Sequence, residues 1–362
     1  MYNLRPSASG IWTKCAANPR ISANVKREPV TSDAAREGTC AAWVAECVLK
    51  GKFAACVDMV DQVHENGWVV DSEMAYHIQG YVDMVRSRGG VINAEMFVRL
   101  SETIAGTYDS SVVVYDSATL FGDDLKYGFG IVDVYECTQL IIYLYGEYLR
   151  LGRPAHIQRV TLGIYQPRAY HPEGIHRTWT ISIQELYERA LAIVQAGDKC
   201  QDPEAVATPG AHCTYCKGAT ECASSAWTLY KGFEVIERCE QGAMSAEELA
   251  NEANFLKLME TMLKGRKAAV DAELEARLSA DEYVRGWGLE DRTGNRKFTV
   301  DPVTVHLLTG VNPFKQEVMS PAELEKAGAN KAIVKTITRV PKIGTKLKQT
   351  TDKDFGRMLR ER

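Results

Sequence analysis

The sequence predicts an α/β protein in which a mixed β-sheet is flanked by helices. Three observations support this class. A helix is indicated over Asp71–Arg88, because apolar residues recur there at helical spacing, namely Met74, Ile78, Tyr81, Val82 and Val85. Three short strand-like runs follow it. After those runs, helical and strand-like segments alternate, which is typical of an α/β core of roughly 200 residues.

The elements of the first half follow from local patterns. Residues 1–30 resemble loop with one short helix, and a helix is expected from Ser32 to about Lys50, with Ser32 as its N-cap. The three strands are expected at Glu95–Leu100, Asp109–Tyr115 and Leu120–Lys126. Turn-forming pairs separate them, Ala105-Gly106 and Asp116-Ser117, and favour an antiparallel meander.

The second half is expected to complete the core and then change character. We expect a helix at Thr138–Leu151, a strand at His156–Gln166 and a helix at Ser182–Gly197. A loop with cysteines at 208–224, a charged helix at about Ser245–Ser279 and strand-like segments around Gly294 come next. The expected domains are therefore an α/β domain at 1–225, a helical and accessory region at 226–330, and a basic tail at 331–362.

The composition excludes a membrane protein and favours a reducing compartment. Hydrophobic residues make up 45% and charged residues 25% of the 362-residue sequence, as in ordinary globular proteins. No apolar run is long enough to span a bilayer, and the first residues lack the order of a signal peptide. We therefore expect a cytoplasmic protein. In that compartment the ten cysteines indicate metal binding before disulfides.

The net charge of −4 gives no sign of nucleic-acid binding, but its distribution is uneven. The segment Ala327–Arg362 has ten Lys or Arg and three acidic residues. Such a tail can contact phosphates. A solvated, partly disordered terminus explains the same charges equally well.

The most informative pattern is an acidic pair beside a lysine. Asp124 and Lys126 end a predicted strand two positions apart and therefore face one side of the sheet. Asp109, on the preceding strand, is expected to reach the same cleft. Two carboxylates can hold Mg²⁺ or Mn²⁺, and the lysine can stabilise negative charge or orient water. Taken alone, an Asp-x-Lys triplet is weak evidence, because many strands end in one by chance and a surface salt bridge would explain it.

Neighbouring residues add weight to this pair. Gln139 and Tyr143 are four apart on the next predicted helix and share one of its faces. Glu46 lies on the early helix, eight residues after Gly38. Each has an ordinary explanation: a surface glutamine, a core tyrosine and a solvated helix glutamate.

The order of these motifs resembles the RecB-like branch of the PD-(D/E)xK nucleases, which includes phage exonucleases. The matching motifs are Gly38-Thr39 with Glu46, GTYD ending at Asp109, DLKYG starting at Asp124, and the Gln139/Tyr143 pair. The resemblance implies that Asp109, Asp124 and the Leu125 carbonyl bind the metal, with Glu46 as an accessory acid. It implies that Lys126 is catalytic, and that Gln139 and Tyr143 position DNA or water.

One position departs from that branch. Many members carry a histidine ligand four residues before the glutamate, where this sequence has Ala42. This difference puts the second metal position and the metal preference in doubt.

A separate cysteine motif predicts a second metal site. Cys213, Cys216 and Cys222 form C-x2-C-x5-C, which needs a fourth ligand from elsewhere in the chain. Cys15 is the first choice, and His212 is a weaker one. The arrangement resembles the iron-staple of several RecB-like nucleases, which implies a [4Fe–4S] cluster, with Zn²⁺ as the lesser alternative. The remaining cysteines are expected to be small core residues.

The resemblance covers about residues 5–225. It implies a metal-dependent DNA exonuclease acting on DNA ends in phage replication or recombination, in a bacterial host's cytoplasm. A phage single-strand annealing or binding protein is an expected partner. Two alternatives stay open: a nuclease-fold DNA-binding recombination partner with little or no activity, and a zinc-ribbon interaction protein.

Overall fold

A computed structural model describes residues 1–25, 33–238 and 245–288, which lie within one compact unit, Met1–Leu289. Several predictions fall outside these residues and stay untested: the Ser32 N-cap, the strand-like segments around Gly294 and the basic tail. The predicted domain limits at 225 and 330 also stay predictions. None of the described helices has both the length and the apolar composition that a membrane span requires.

The centre of the unit is a five-stranded mixed sheet with its strands in sequential order. The strands are β1 (Val91–Arg99), β2 (Ala105–Val114), β3 (Thr119–Leu125), β4 (Arg159–Tyr165) and β5 (His176–Ser182). β1, β2 and β3 form an antiparallel meander. β4 pairs in parallel with β3, and β5 returns antiparallel to β4. The parallel step requires a crossover connection, which contains a helix.

Eight α-helices accompany the sheet in the described residues. They are α1 (Ser9–Trp12), α2 (Asn18–Ala23), α3 (Asp33–Leu49), α4 (Ser72–Ser87), α5 (Thr138–Arg150), α6 (Ile183–Lys199), α7 (Ala223–Arg238) and α8 (Ala246–Ser279). Three short 3₁₀ helices lie at Pro6–Ala8, Cys56–Met59 and Ala211–Tyr215. Side chains cap α4 and α6: Asp71 accepts from the Met74 amide, and Ser182 accepts from the Glu185 amide.

The two faces of the sheet have separate cores because alternate strand residues point to opposite sides. One core joins α5 and α6 to Leu120, Leu162 and Ile164. The other joins α3 and α4 to Val112 and Leu125. The molecule is therefore a mixed sheet between helical layers, which is the fold class that the sequence predicts.

A glycine sets the distance between α5 and the sheet. A Cβ at Gly122 of β3 would lie 2.1 Å from Leu144 Cδ2 of α5. Only a residue without a side chain lets the helix approach this closely. The contact brings the first turn of α5 beside the end of β3.

Helix α8 packs against the 3₁₀ turn at Ala211–Tyr215. A Cβ at Gly265 would lie 2.5 Å from Thr214 Cα, so the two backbones are in close contact. Thr214 Oγ1 donates to the Thr261 carbonyl at 3.2 Å, and Arg266 donates to the Ala219 carbonyl. The charged helix therefore supports the cysteine segment, a contact that the sequence analysis did not anticipate.

Most predicted elements are confirmed, with three differences. β1 and β2 each begin four residues earlier than expected, so Asp109 lies in the middle of a strand rather than at its start. The predicted turn at Ala105-Gly106 is therefore wrong, because this pair begins β2 and the connection lies between Arg99 and Ala105. Strand β5 and helix α7 were not predicted as separate elements. The segment 1–25 holds two helices and a 3₁₀ turn, where the sequence indicated mostly loop.

Candidate metal centre and cysteine pocket

The two predicted carboxylates face each other across neighbouring strands. Ser110 of β2 pairs with Asp123 of β3, so the next position along the strands sets Asp109 opposite Asp124. The backbone N–H of Leu125 donates to Asp109 Oδ2 at 2.6 Å, which fixes the Asp109 side chain against the end of β3. Both aspartates line one small pocket beside Leu140 and Tyr143 of α5.

Asp124 is buried and its two oxygens have different partners. Gln139 Nε2 donates to Oδ1 at 3.0 Å. Lys126 Nζ lies 2.7 Å from Oδ2, although the two atoms lack the alignment of a hydrogen bond. This oxygen therefore keeps a lone pair available in a buried position, where it is costly to leave unsatisfied.

The protonation of Asp109 reflects its crowded surroundings. Burial raises the pKa of Asp109 well above its ordinary range, and the charge of Asp124 raises it further. The hydrogen bond from the Leu125 N–H and the charge of the Lys126 ammonium lower the pKa of Asp109 and partly offset this increase. Two carboxylates held this close repel each other, and a bound cation would relieve that repulsion.

Lys126 stays charged in this setting. Burial lowers the pKa of Lys126, but the negative charge of Asp124 and the contact with it outweigh this effect and raise the pKa overall. Lys126 follows β3 directly, and its backbone N–H continues the parallel ladder by donating to Tyr165. The ammonium is thus a fixed positive charge at the carboxyl end of β3.

Gln139 and Tyr143 lie in the site as predicted from their spacing. Gln139 Nε2 is 3.4 Å from the Tyr143 hydroxyl as well as bonded to Asp124. Burial raises the pKa of Tyr143 to about 12, so its hydroxyl stays protonated and can donate. One face of α5 therefore supplies a neutral amide and a neutral phenol to the aspartate pair.

Glu46 is not brought into direct contact with the pair. Its carboxylate lies 2.8 Å from Lys50 Nζ and lines a neighbouring pocket that Ala42 and Glu95 share. Glu95 links the two regions electrostatically, since its charge raises the pKa of Asp109, and burial followed by the charge of Glu46 raises its own pKa to about 7. The accessory role of Glu46 stays a prediction.

Glu95 is an acidic residue that the sequence analysis missed. Ala94 pairs with Ser110 and Met96 pairs with Tyr108, so Glu95 stands opposite Asp109 on the adjacent strand. Its φ of 49° is unusual for a residue other than glycine. No family motif marks Glu95, and only the register of β1 against β2 identifies it.

A second missed feature lies on the other face of the sheet. Asp123, next to Asp124, accepts two hydrogen bonds from Arg88 at the end of α4, and His176 Nε2 of β5 lies 2.9 Å from its Oδ1. Gly163 makes room for this group, because a Cβ there would lie 2.0 Å from Asp123 Oδ1. The sequence did contain a sign of this group, namely two neighbouring aspartates, Asp123 and Asp124, on one predicted strand. Because neighbouring strand residues point to opposite faces, only one of the two can belong to the aspartate pair.

The aspartate pair suits a hard divalent cation with water or substrate completing its shell. Mg²⁺ commonly binds through one or two carboxylates together with water and phosphate oxygens. Within the described residues, no three His, Cys, Asp or Glu side chains converge on a point that could hold a metal ion. Asp109 and Asp124 therefore offer a two-carboxylate site, and the part of the Leu125 carbonyl stays a prediction.

The four predicted cysteines line one pocket. Cys15, Cys213, Cys216 and Cys222 meet there although Cys15 is remote in sequence. A Cβ at Gly218 would lie 2.6 Å from Ile21 Cγ2 and 3.0 Å from the Ile21 carbonyl carbon, so this loop touches α2 closely. The pocket thus joins the first residues of the unit to the segment after the α/β core.

Each of the four sulfurs accepts an N–H hydrogen bond. The donors are the Thr208 amide to Cys15 at 3.5 Å, the Gly210 amide to Cys213 at 3.4 Å, Asn18 Nδ2 to Cys216 at 3.2 Å and the Ser225 amide to Cys222 at 3.4 Å. Such donors lower the pKa of a thiol, but burial outweighs them at Cys213 and Cys216 and raises the pKa of both. His212 is turned to the Thr208 carbonyl at 2.9 Å instead. The four cysteines line one pocket, but their side chains do not converge on a point that could hold a metal ion. Four thiolates are the donor type of an iron–sulfur cluster or tetrahedral zinc, and the metal group stays a prediction.

The other cysteines of the described residues match their expected role in part. Cys40, Cys47, Cys56 and Cys200 are buried, whereas Cys137 is partly exposed beside the site. Burial raises the pKa of Cys40 to about 11 and of Cys56 to about 12, so both thiols are neutral core groups.

Comparisons with known proteins give one family and distant structural similarities. A candidate exonuclease from Eubacterium rectale has 8% identity and a TM-score of 0.30, over 68% of this chain and 92% of that one. An alkaline exonuclease from Laribacter hongkongensis has 9% identity and a TM-score of 0.21, over 55% and 90%. Similarity at this level carries no functional argument. No curated protein matches the sequence.

The family model is a much broader match. It is described as a protein of unknown function, DUF2800, and it matches residues 3–353, which include both the aspartate pair and the cysteine pocket. The chain is therefore a member of the DUF2800 family.

Proposed function

We propose that this protein is a metal-dependent DNA nuclease, of the exonuclease type, acting at Asp109 and Asp124. The observation that carries the proposal is the pairing of these carboxylates across β2 and β3, with Lys126 Nζ 2.7 Å from Asp124. The motif resemblance to RecB-like nucleases supports DNA as the substrate. It also supports a role in phage replication or recombination, together with a single-strand annealing or binding protein.

Each residue has a chemical task in this proposal. A divalent cation on Asp109 and Asp124 would polarise the phosphodiester and lower the pKa of the attacking water. The Lys126 ammonium donates a hydrogen bond to the phosphate oxygen on which negative charge develops. Gln139 holds the Asp124 carboxylate in place through Oδ1. The protonated Tyr143 hydroxyl donates to a phosphate oxygen or to water.

The cysteine pocket has a structural task in the same proposal. We infer that Cys15, Cys213, Cys216 and Cys222 hold a [4Fe–4S] cluster, with Zn²⁺ as the lesser alternative. When bound, either metal group would tie α2 to the segment after α6. The shared pocket supports this, because it brings Cys15 to the three cysteines of the C-x2-C-x5-C motif, and each sulfur has an N–H donor in contact.

A cleavage assay tests the nuclease. Labelled single- and double-stranded DNA is incubated with anaerobically purified protein, with and without Mn²⁺ or Mg²⁺, beside Asp124→Ala and Lys126→Ala. Both variants should lose at least about 100-fold in rate, as loss of a charge-stabilising group commonly costs. Asp116→Ala, an exposed aspartate in the β2–β3 turn, is the matched control and should cleave normally.

The outcomes separate the candidate functions. Wild-type protein that binds DNA but cleaves none of the substrates under any metal condition would favour the non-catalytic recombination partner, for which Ala42 is the supporting residue. Iron and acid-labile sulfide that are lost in Cys15→Ser but kept in Cys47→Ala would support the cluster. Stoichiometric zinc with neither DNA binding nor cleavage would favour the zinc-ribbon interaction protein.

A further inference from the structure

The segment that follows Lys126 at the end of β3 carries exposed apolar side chains. Phe129 is 67% exposed and Ile131 is 58% exposed, whereas Tyr127 is buried. The segment lies at the carboxyl end of β3, which is also the carboxyl end of the parallel strand β4. In open α/β sheets, ligands bind at this edge.

Two buried polar side chains hold the backbone of this segment. Gln166 Nε2 donates to the carbonyls of Gly128 at 2.9 Å and Gly130 at 2.7 Å. Arg177 donates to Gln166 Oε1 at 2.8 Å and to the Val132 carbonyl at 2.9 Å. Both side chains are almost fully buried. A loop anchored in this way holds Phe129 toward solvent in a fixed position, and such preorganisation favours binding.

An arginine completes the surface. The Arg168 guanidinium lies 4.5 Å from the ring centre of Tyr127 and 4.3 Å from that of Phe129. Its charge is already paired, since Glu37 lies 2.6 Å from Arg168 Nη1. Stacking, rather than an unpaired charge, is therefore what this surface offers a ligand. We call Tyr127, Phe129 and Arg168 the Phe129 surface.

We propose that the Phe129 surface stacks a base of single-stranded DNA as the strand enters the site, an inference that rests on the proposed function. An exposed aromatic ring supported by a guanidinium suits the face of an unpaired base. The bases of an intact duplex keep their faces stacked inside the helix and present only their edges in the grooves. Phe129 follows Lys126 by three residues, so its backbone lies within about 11 Å of the Lys126 backbone, and a strand stacked on it would pass near the aspartate pair. The preferred substrate is thus a single strand or a frayed end.

Binding and cleavage are measured separately to test this. The affinity for a fluorescent oligothymidine and for a duplex of equal length is measured by anisotropy in EDTA, where metal-dependent hydrolysis does not occur. Phe129→Ala should weaken oligothymidine binding about 5- to 150-fold, the usual effect of removing a stacked aromatic side chain. Phe129→Trp should retain binding, and Phe129→Leu should behave like Phe129→Ala. Tyr115→Ala, which removes an exposed aromatic residue at the opposite edge of the sheet, should have no effect.

Three results would overturn the inference: unchanged binding by folded Phe129→Ala, full rescue by Phe129→Leu, or tighter binding of the duplex than of the single strand. The thermal unfolding midpoint of each variant confirms that it is folded. Failure of the proposed function is distinguishable. If Phe129→Ala weakens binding but wild type never cleaves, the stacking surface stands without the nuclease. If Asp124→Ala abolishes cleavage but Phe129→Ala leaves DNA binding unchanged, the proposed nuclease function is supported and the stacking inference is wrong.

Discussion

Replacing Arg88 by methionine should destabilise the protein more than replacing Arg88 and Asp123 together. The Asp123 side chain is fully buried and that of Arg88 is 10% exposed. Arg88→Met keeps most of the side-chain volume but leaves the carboxylate with His176 alone, at 2.9 Å. Removing one partner of a buried pair typically costs about 3–5 kcal/mol, because the remaining charge stays desolvated.

The double variant Arg88→Met/Asp123→Leu also removes the Asp123 carboxylate that Arg88→Met leaves unpaired. Substituting apolar residues for a whole buried pair is often close to neutral. We therefore expect the double variant to lose at least about 2 kcal/mol less stability than Arg88→Met alone. Arg88 also stacks on Phe121 at 4.4 Å, and methionine replaces part of that contact. Against a total stability of about 5–15 kcal/mol, these differences are easily measured.

Urea unfolding of the wild type, both single variants and the double variant, followed by far-UV circular dichroism, gives the coupling energy of the pair. The reasoning would be refuted if Arg88→Met cost under about 1 kcal/mol, or if the double variant lost the sum of the two single losses. Either result would mean that water, rather than Arg88, satisfies the Asp123 carboxylate.

Three further predictions follow from individual contacts. The pKa of Glu95 is about 7 in the folded state and about 4.5 when unfolded, so its contribution to stability falls as pH rises between these values. Glu95→Gln should therefore be more stable than wild type at pH 8, by about 1–2 kcal/mol after a discount for partial exposure, and equally stable at pH 4, as urea titrations at both pH values will show. Gly163→Ala should cost about 1–3 kcal/mol in the same assay by displacing Asp123, whereas Gly128→Ala, which meets no atom within 4 Å, should cost little. If the cysteine pocket holds a metal group, removing it with a chelator should lower the thermal unfolding midpoint of wild type, and it should leave Cys15→Ser unchanged; equal shifts in both would contradict the assignment.

Local patterns predicted most of the sheet and its helices because their periodicity is strong. The meander of β1, β2 and β3 was predicted from strand-like runs and turn signals, although one of those signals, Ala105-Gly106, lies inside β2. Helix α4 was predicted from the helical spacing of its apolar residues. β5 was missed because its sequence, HRTWTIS, mixes charged and polar residues with few apolar ones. Its strand conformation comes from pairing with β4, which no local pattern reveals.

The candidate site divides in the same way. The i, i+2 spacing of Asp124 and Lys126 and the i, i+4 spacing of Gln139 and Tyr143 fix neighbours within one element, so the sequence alone placed them. Glu95 can be identified as a neighbour of Asp109 only from the register between β1 and β2, and that register depends on packing over the whole sheet. Contacts between distant segments, such as α8 on the Thr214 turn, are likewise absent from local sequence.

The cysteine pocket also constrains the order of events during synthesis. Cys15 leaves the ribosome nearly two hundred residues before Cys213, a delay of roughly 10 to 40 s at ordinary translation rates. The strands of the sheet are synthesised during that interval, when Cys15 is present but the other three cysteines of the pocket are not. A chain that stops before Cys222 can contain every strand of the sheet and still lack a complete pocket. Closure of the pocket therefore marks the point at which the growing chain has become a finished α/β unit.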